Sequence, residues 1–414
     1  MKLRIDRDAF ADAVAWAARS LPSRPAVPVL AGLLVEAVTA GTPLDAFGPS
    51  ADADAPNADA PGTDTVVLSG FDYETATRVG LPADVGEPGR VLVPGKLLAD
   101  IAKSLPGAPV DLSTEDNRLV VRCGPARFSL ALLPQDDYPD LPGSPPVSGT
   151  VPAAAFADAV AQVAIAAGRD DMLPVLTGVQ IEVTGNRLRL LATDRYRLAV
   201  RDLPWSPVDP DATGSALVPA RVLSEAAKAM AAGGNVSLSF PVGRPSGTAS
   251  GAGAPSGGMI GLSGGTPTAP RTTTTRLLDG EYPKVMSLFP AEAPISSRVE
   301  TARLLESARR VALVADRNAP IRLGFDTTEV TLDAGSGEDA QATEVLEAVT
   351  DGQAISVGFF PGYLLDGLQQ LGAPTAQFTF THPTKAIVLT GAAGPEEDAD
   401  PAYRYLVMPR RLPG

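Results

Sequence analysis

Val93–Leu105 reads VPGKLLADIAKSL; the chain repeats the pattern at Val218–Met230 as VPARVLSEAAKAM and, more loosely, at Phe360–Leu371 as FPGYLLDGLQQL. Each copy places a proline where a first helical turn begins, a position that tolerates its missing N–H. Leu97, Leu98, Ile101 and Leu105 then share one helical face, and Val222, Leu223, Ala226 and Met230 repeat it. Lys96 and Lys103 occupy the opposite face, with Arg221 and Lys228 at the matching places and Tyr363 and Gln370 in the third copy. An apolar stripe backed by a repeated basic pair suits a helix that packs on a core and presents cations to an anionic partner. A single Lys or Arg on a helix is ordinarily just solvated; the repetition singles these out.

Outward from these helices the repetition covers a whole unit. DRDAFADAVAWAARSLPSRPAVPVLAGLLVEAV opens the first copy, VPAAAFADAVAQVAIAAGRDDMLPVLTGVQIEV the second and ETARLLESARRVALVADRNAPIRLGF the third. The first two share FADAV (Phe10–Val14 and Phe156–Val160), and Pro28, Pro174 and Pro320 recur at one interval before an alternating segment. Period-two stretches such as VDLSTEDNRLVVRCGPARFSLALL and AQFTFTHPTKAIVLTG, broken by Gly, Asn and Asp, predict antiparallel strands. Each unit therefore reads as an α+β domain with two helices packed on curved antiparallel sheet. Composition shifts at 140–149 and 291–297 divide the chain into domains 1–143, 144–294 and 295–414. Two stretches stand outside the repeat: an Ala, Asp and Pro-rich one at about 39–63, and a Gly, Ser, Pro and Thr-rich one at about 242–275. Both have the composition of solvated loops, although Gly258–Gly265 reads as a strand inside the second.

At 414 residues the chain exceeds one core. One cysteine, Cys123, and one histidine, His382, exclude a disulfide framework, a Cys/His zinc site and a Cys–His or Ser–His pair needing a spare histidine. No apolar h-region opens the chain and no run spans a bilayer, so a cytoplasmic protein is expected. The net charge of −14 argues against nucleic acid only if it is evenly spread. An acidic exterior with cations gathered on a few helices would attract DNA at one surface alone.

On this threefold repeat, ATDRYRLAVR (Ala192–Arg201), LLDGEYPKV (Leu277–Val285), LSGFDYE (Leu68–Glu74) and the terminal YLVMPRRL (Tyr405–Leu412) follow in order. With them the chain resembles the bacterial DNA polymerase III beta subunits, the sliding clamps, over nearly its whole length. The resemblance implies a head-to-tail homodimeric ring of six domains, helices lining the hole and duplex DNA passing through without base readout. Lys96, Lys103, Arg221 and Lys228 would then face DNA, joined by Arg19, Arg24, Arg169, Arg309, Arg310 and Arg317 on or just after the first helices.

The resemblance also implies a pocket between the second and third domains that receives linear motifs from the DNA polymerase III alpha subunit, the clamp loader and repair polymerases. Carried over motif by motif, it takes Leu176, Thr193, Arg195, Tyr196, Arg197 and Leu198; Pro283, Ser287 and Leu288; and Phe360, Tyr363, Leu406, Val407, Met408, Pro409, Arg410 and Arg411. Two positions depart from the family. Arg410 stands where an apolar side chain is usual, and Phe360 where an asparagine is usual. Such a pocket would bind motif peptides with altered preference, which would suit a duplicate clamp that tolerates a pocket-binding inhibitor. Ala312 and Leu313 match apolar seam positions between protomers.

Enzyme motifs are missing: there is no GxxxxGK[ST], HExxH, GxSxG or CxxC. The acid pairs Asp136–Asp137 and Asp170–Asp171 read as solvated turns, so neither metal nor cofactor is expected. A non-encircling interaction scaffold and an enzyme with an unfamiliar site are the rival readings.

Overall fold

The computed structural model describes residues 1–22, 25, 27–40, 63–243, 258–316, 319–335 and 340–412. Among these residues six α-helices form three pairs, two per domain. α1 (Arg7–Ala17) starts because the Asp6 carboxylate accepts from the backbone N of Asp8 and Ala9 at 3.0 and 2.9 Å, satisfying donors a helix start leaves unpaired. α2 (Gly95–Ser104), α3 (Ala153–Ala164) and α4 (Ala220–Met230) each follow a proline in the cap position. α5 (Thr301–Val311) follows Glu300, and α6 (Pro361–Gln370) follows Phe360, with Pro361 already helical.

That last difference corrects the alignment of the third repeat. Leu98, Ile101 and Ala102 of α2, Leu223, Ala226 and Ala227 of α4, and Leu364, Gly367 and Leu368 of α6 are buried at equal distances from their caps. Gly362 and Gln369, not Tyr363 and Gln370, therefore stand where Lys96 and Lys103 stand. Core burial sets the helical phase and overrides the shared PG dipeptide. Leu97 is likewise 51% exposed, and Ala102 takes its expected place in the stripe.

Three antiparallel sheets back the helices. A five-stranded sheet belongs to the first domain alone. A nine-stranded sheet joins the first domain to the second by pairing Thr75–Pro82 with Ala269–Arg276, in the register Thr75↔Thr275. A twelve-stranded sheet joins the second to the third by pairing Arg197–Pro204 with Ala399–Val407, in the register Arg197↔Val407.

The first of these junctions overturns the reading of 242–275 as an inserted loop. Met259–Thr266 and Ala269–Arg276 are strands, and Thr272–Thr275 are buried. Four consecutive threonines look like low complexity, but β-branched residues fit a pleated surface well. The remainder, 244–257, and most of 39–63 lie outside the described residues.

A second correction concerns the prolines. Pro28–Ala31 and Pro174–Thr177 form 3₁₀ turns before their strands, whereas Pro320 directly precedes the strand Ile321–Phe325. Leu33, Val179 and Ile321 pair with Val93, Val218 and Phe359, each just before a helix cap, so Pro320 matches Gly32 and Gly178. Pro320 is therefore not the counterpart of Pro28 and Pro174, and the equal interval marks no shared point.

The second and third domains share one apolar core, while the first has its own. The helix pairs also meet at the junctions. Arg271 bonds the Ala229 carbonyl of α4 at 2.8 Å and pairs with Asp12 of α1. Gln162 of α3 bonds the Gln370 carbonyl of α6 at 3.1 Å. The helices thus run in one row, α2, α1, α4, α3, α6, α5, with both ends open.

Candidate functional site

Lys96 and Lys103 on α2 and Arg221 and Lys228 on α4 are exposed opposite the buried stripes. Arg221 makes an i,i+4 contact to Glu225 at 3.3 Å, an exposed pair of small energetic weight. Arg19, Arg169 and Arg309 are also exposed. Arg310 is not available in the same way. Its guanidinium grips Glu344 through two bonds of 2.7 Å, and Ser307 donates to the same carboxylate at 2.6 Å. Those bonds hold the Glu344 carboxyl well below the usual range, down to about 2. Arg24 and Arg317 lie outside the described residues.

At the second junction the chain makes a tight turn. Asp194 Oδ1 accepts from the backbone N of Tyr196 and Arg197, both at 3.0 Å, which places Arg195 at φ +80°. Arg197 follows and is 6% exposed. Its Nε donates to Asp194 at 3.0 Å, and its Nη1 donates to Asp366 at 2.6 Å and to the Tyr405 hydroxyl at 3.4 Å. The guanidinium also lies 4.5 Å from the Tyr363 ring centroid. Burial works against the charge, but the Tyr405 oxygen, the Asp366 bond and Asp194 outweigh it, so its pKa sits above the ordinary guanidinium value. Arg197 ties the second domain to the third.

The other expected groove residues sort by exposure. Leu198, Leu406 and Val407 are buried, as is Thr193, whose Oγ1 donates to the Arg197 carbonyl at 2.6 Å and whose N donates to the Tyr282 hydroxyl at 2.9 Å. They form the floor, where Leu198 and Leu406 pack with Leu191, Val200, Val285 and Val388. Leu176, Phe360, Tyr363 and Pro409 are half-buried. Arg195, Tyr196, Pro283, Ser287, Leu288, Met408, Arg410 and Arg411 are exposed and can touch a ligand. Met408 N donates to the Tyr196 carbonyl at 2.8 Å, which holds the tail beside the turn. The sequence reading missed Asp366 and Asp194, which no local pattern marks as partners of Arg197.

Arg195 pays for its left-handed backbone, since an L side chain there costs about 1–2 kcal/mol. Arg195→Gly removes that strain but adds unfolded-state freedom. We expect a net stabilisation of about 0.5–1 kcal/mol, read as a rise of roughly 1–4 °C in the thermal midpoint.

The first junction has the same plan but is closed. Leu30, Phe71, Ala76 and Tyr138 are 3–8% exposed in one cluster, and Thr75, the counterpart of Arg197, bonds Thr275 Oγ1 at 2.9 Å. Among the described residues the two junctions therefore differ, the first closed over its cluster and the second with Tyr196, Leu288 and Met408 exposed. Among the described residues no cluster of His, Cys, Asp and Glu could hold a metal, and no helix is long and apolar enough to cross a membrane. Cys123 is 1% exposed, with its Sγ near the Pro106 and Ala108 carbonyls.

Family models for the DNA polymerase III beta subunit match this chain in three parts: the N-terminal domain at residues 1–49 and 62–142, the central domain at 150–284 and the C-terminal domain at 286–411. A beta sliding clamp of Streptomyces coelicolor is 48% identical over 414 residues, covering all of both chains. The beta sliding clamp homolog GriR of Streptomyces muensis is 40% identical over 412 residues, again covering both in full. A crystal structure of a Pseudomonas aeruginosa sliding clamp bound to griselimycin superposes over all of both chains with a TM-score of 0.79 at 24% identity, a likeness of fold. The chain belongs to the DNA polymerase III beta subunits, the beta sliding clamps.

Proposed function

We propose that two copies of this sliding clamp close head to tail into a ring of six domains around duplex DNA, holding a polymerase there without base readout. The observation that carries this reading is the row of six helices, open at both ends, with exposed cations on a chain of net charge −14. A duplex presents a negative charge about every 1.7 Å of axis. Contacts to phosphate position a protein without reading sequence, which leaves it free to slide.

The seam follows from the internal junctions. Each joins the third strand of one domain's meander to the last strand of the next domain. By the same rule residues 342–347 of one protomer, which pair on one side only, take Ala126–Ala131 of the partner on the other, and α5 meets α2. Val345, Val349 and Leu313 are 54%, 61% and 84% exposed near that edge, while Ala312 is half-buried against its own core. Leu313 and the two valines take the seam role, with Ala312 behind them.

Through the groove the clamp tethers the DNA polymerase III alpha subunit, the clamp loader and repair polymerases by linear motifs. It acts as an accessory subunit in the cytoplasm and makes or breaks no bond itself. The experiment is retention on DNA. Loaded onto nicked circular DNA, the protein should stay bound and should be released on linearisation, and its solution mass should be about twice 42.5 kDa. Leu313→Asp with Val345→Asp should halve the mass and abolish retention. Equal retention on circular and linear DNA would favour a non-encircling scaffold instead. A second reading, a duplicate clamp whose altered groove tolerates an inhibitor, draws support from the Arg410 guanidinium lying 5.7 Å from the Phe360 ring centroid.

A further inference from the structure

We infer that Arg310 is a latch between protomers, its guanidinium lying against the partner's Phe128 and donating to the carbonyl of the partner's Ser104. The inference rests on the head-to-tail reading and adds the chemistry that fastens one copy to the next. Both internal junctions show what stands at these positions. Counted from the capping residue, Trp16 of α1, Gln162 of α3 and Arg310 of α5 are each tenth in their helices. Ser104 of α2, Ala229 of α4 and Gln370 of α6 are tenth in theirs, within a last turn whose carbonyls lack intrahelical partners. On the strands, Arg271 and Tyr403 correspond, each four residues from its register pair, Thr75↔Thr275 or Arg197↔Val407. Phe128 takes that place in the first domain. It stands two residues beyond the hairpin pair Cys123↔Ala126, as Arg271 does beyond Thr266↔Ala269.

At the first junction the Arg271 guanidinium lies 5.2 Å from the Trp16 centroid, pairs with Asp12 and donates to the Ala229 carbonyl at 2.8 Å. At the second, the Tyr403 hydroxyl donates to the Gln162 carbonyl at 3.2 Å, and Gln162 Nε2 donates to the Gln370 carbonyl at 3.1 Å. In both, the tenth residue of one helix meets the strand residue, and the tenth carbonyl of the facing helix accepts a bond. Between protomers the same three places hold Arg310, the partner's Phe128 and the partner's Ser104. Cation and aromatic face have exchanged sides relative to Arg271 and Trp16.

Arg310 is prepared for this contact. Glu344 holds its Nε and Nη2 at 2.7 Å each, which fixes the guanidinium plane. Its Nη1 has Glu306 at 4.0 Å, and Glu306 stands where Asp12 stands in α1. The side chain is 57% exposed, and Phe128 is half-buried against its own domain's core. A guanidinium on an aromatic face and a charged donor on a carbonyl both gain strength where association excludes water.

The test is a double-mutant cycle on the full-length protein, with dimer dissociation followed by sedimentation on dilution. A closed dimer has two seams, so a loss of about ten-fold at each becomes about a hundred-fold in the dissociation constant of Arg310→Ala. Phe128→Ala should weaken the dimer comparably. The double variant should be little worse than either single one, because both changes remove one shared contact. Arg310→Lys, which keeps the charge but not the planar face, should recover little. A dimer unchanged by Arg310→Ala, or losses that simply add in the double variant, overturn the latch and leave the head-to-tail dimer standing. A monomeric wild type overturns the dimer reading and the latch with it.

Discussion

Alanine at Lys96, Lys103, Arg221 and Lys228 together will weaken duplex DNA binding by the assembled protein on the order of a hundred- to a thousand-fold at physiological salt. Each phosphate neutralised releases counterions and adds about 0.9 to the slope of log affinity against log salt. Losing these four contacts should therefore flatten that slope by about 3 to 4 for each protomer in the ring. The four side chains are exposed, and alanine is the best helix former, so α2 and α4 should stay folded. Arg310→Ala is the internal control. That guanidinium is held by Glu344, so its loss should change DNA affinity far less than loss of any one of the four. A salt titration of DNA binding checks both statements, and an unchanged slope in the quadruple variant would remove the helix row as the DNA face.

Arg197→Ala should be the most damaging single change at the second junction, destabilising it by roughly 3–5 kcal/mol. The side chain is 7% exposed and its removal leaves Asp194 without its partner in a site only 15% exposed. Tyr405, fully buried, loses a donor to its hydroxyl, and Asp366 loses the bond that ties α6 to the second domain. Arg197→Lys should recover only part of this, because a point charge cannot serve two carboxylates and an aromatic face as a planar fork does. Calorimetric unfolding should then separate a low-temperature transition for the third domain from the rest. A variant melting like the wild type would mean that the pair contributes little beyond the apolar core around it.

The strengths and failures of the sequence reading have physical causes. Helix positions were legible because apolar spacing is local: Leu98, Ile101, Leu223 and Ala226 sit where a 3.6-residue period places them. The third helix misled by one residue, since a shared PG dipeptide says less about phase than the burial of Leu364 and Leu368 does. The strand Ala269–Arg276 was hidden because its composition resembled a linker, and its pairing partner lies in another domain. The residues expected at the groove come from contiguous motifs, Thr193, Arg195, Tyr196, Arg197 and Leu198 and then Leu406, Val407, Met408, Pro409, Arg410 and Arg411. Their grouping into a buried floor and an exposed rim could not be read from those motifs.

The amino-acid sequence alone determined the threefold design, the helix–strand order and the basic faces of α2 and α4, because periodicity and repetition act over a few residues at a time. Tertiary structure alone decided which exposed cations are held by a carboxylate, as Arg310 is by Glu344. It also decided that the first junction is sealed while the second is not, and that Arg197 braces two domains. Those outcomes depend on strand registers and side-chain partners far apart in the chain, such as Arg197 with Asp366 and Thr75 with Thr275, and only folding brings these together.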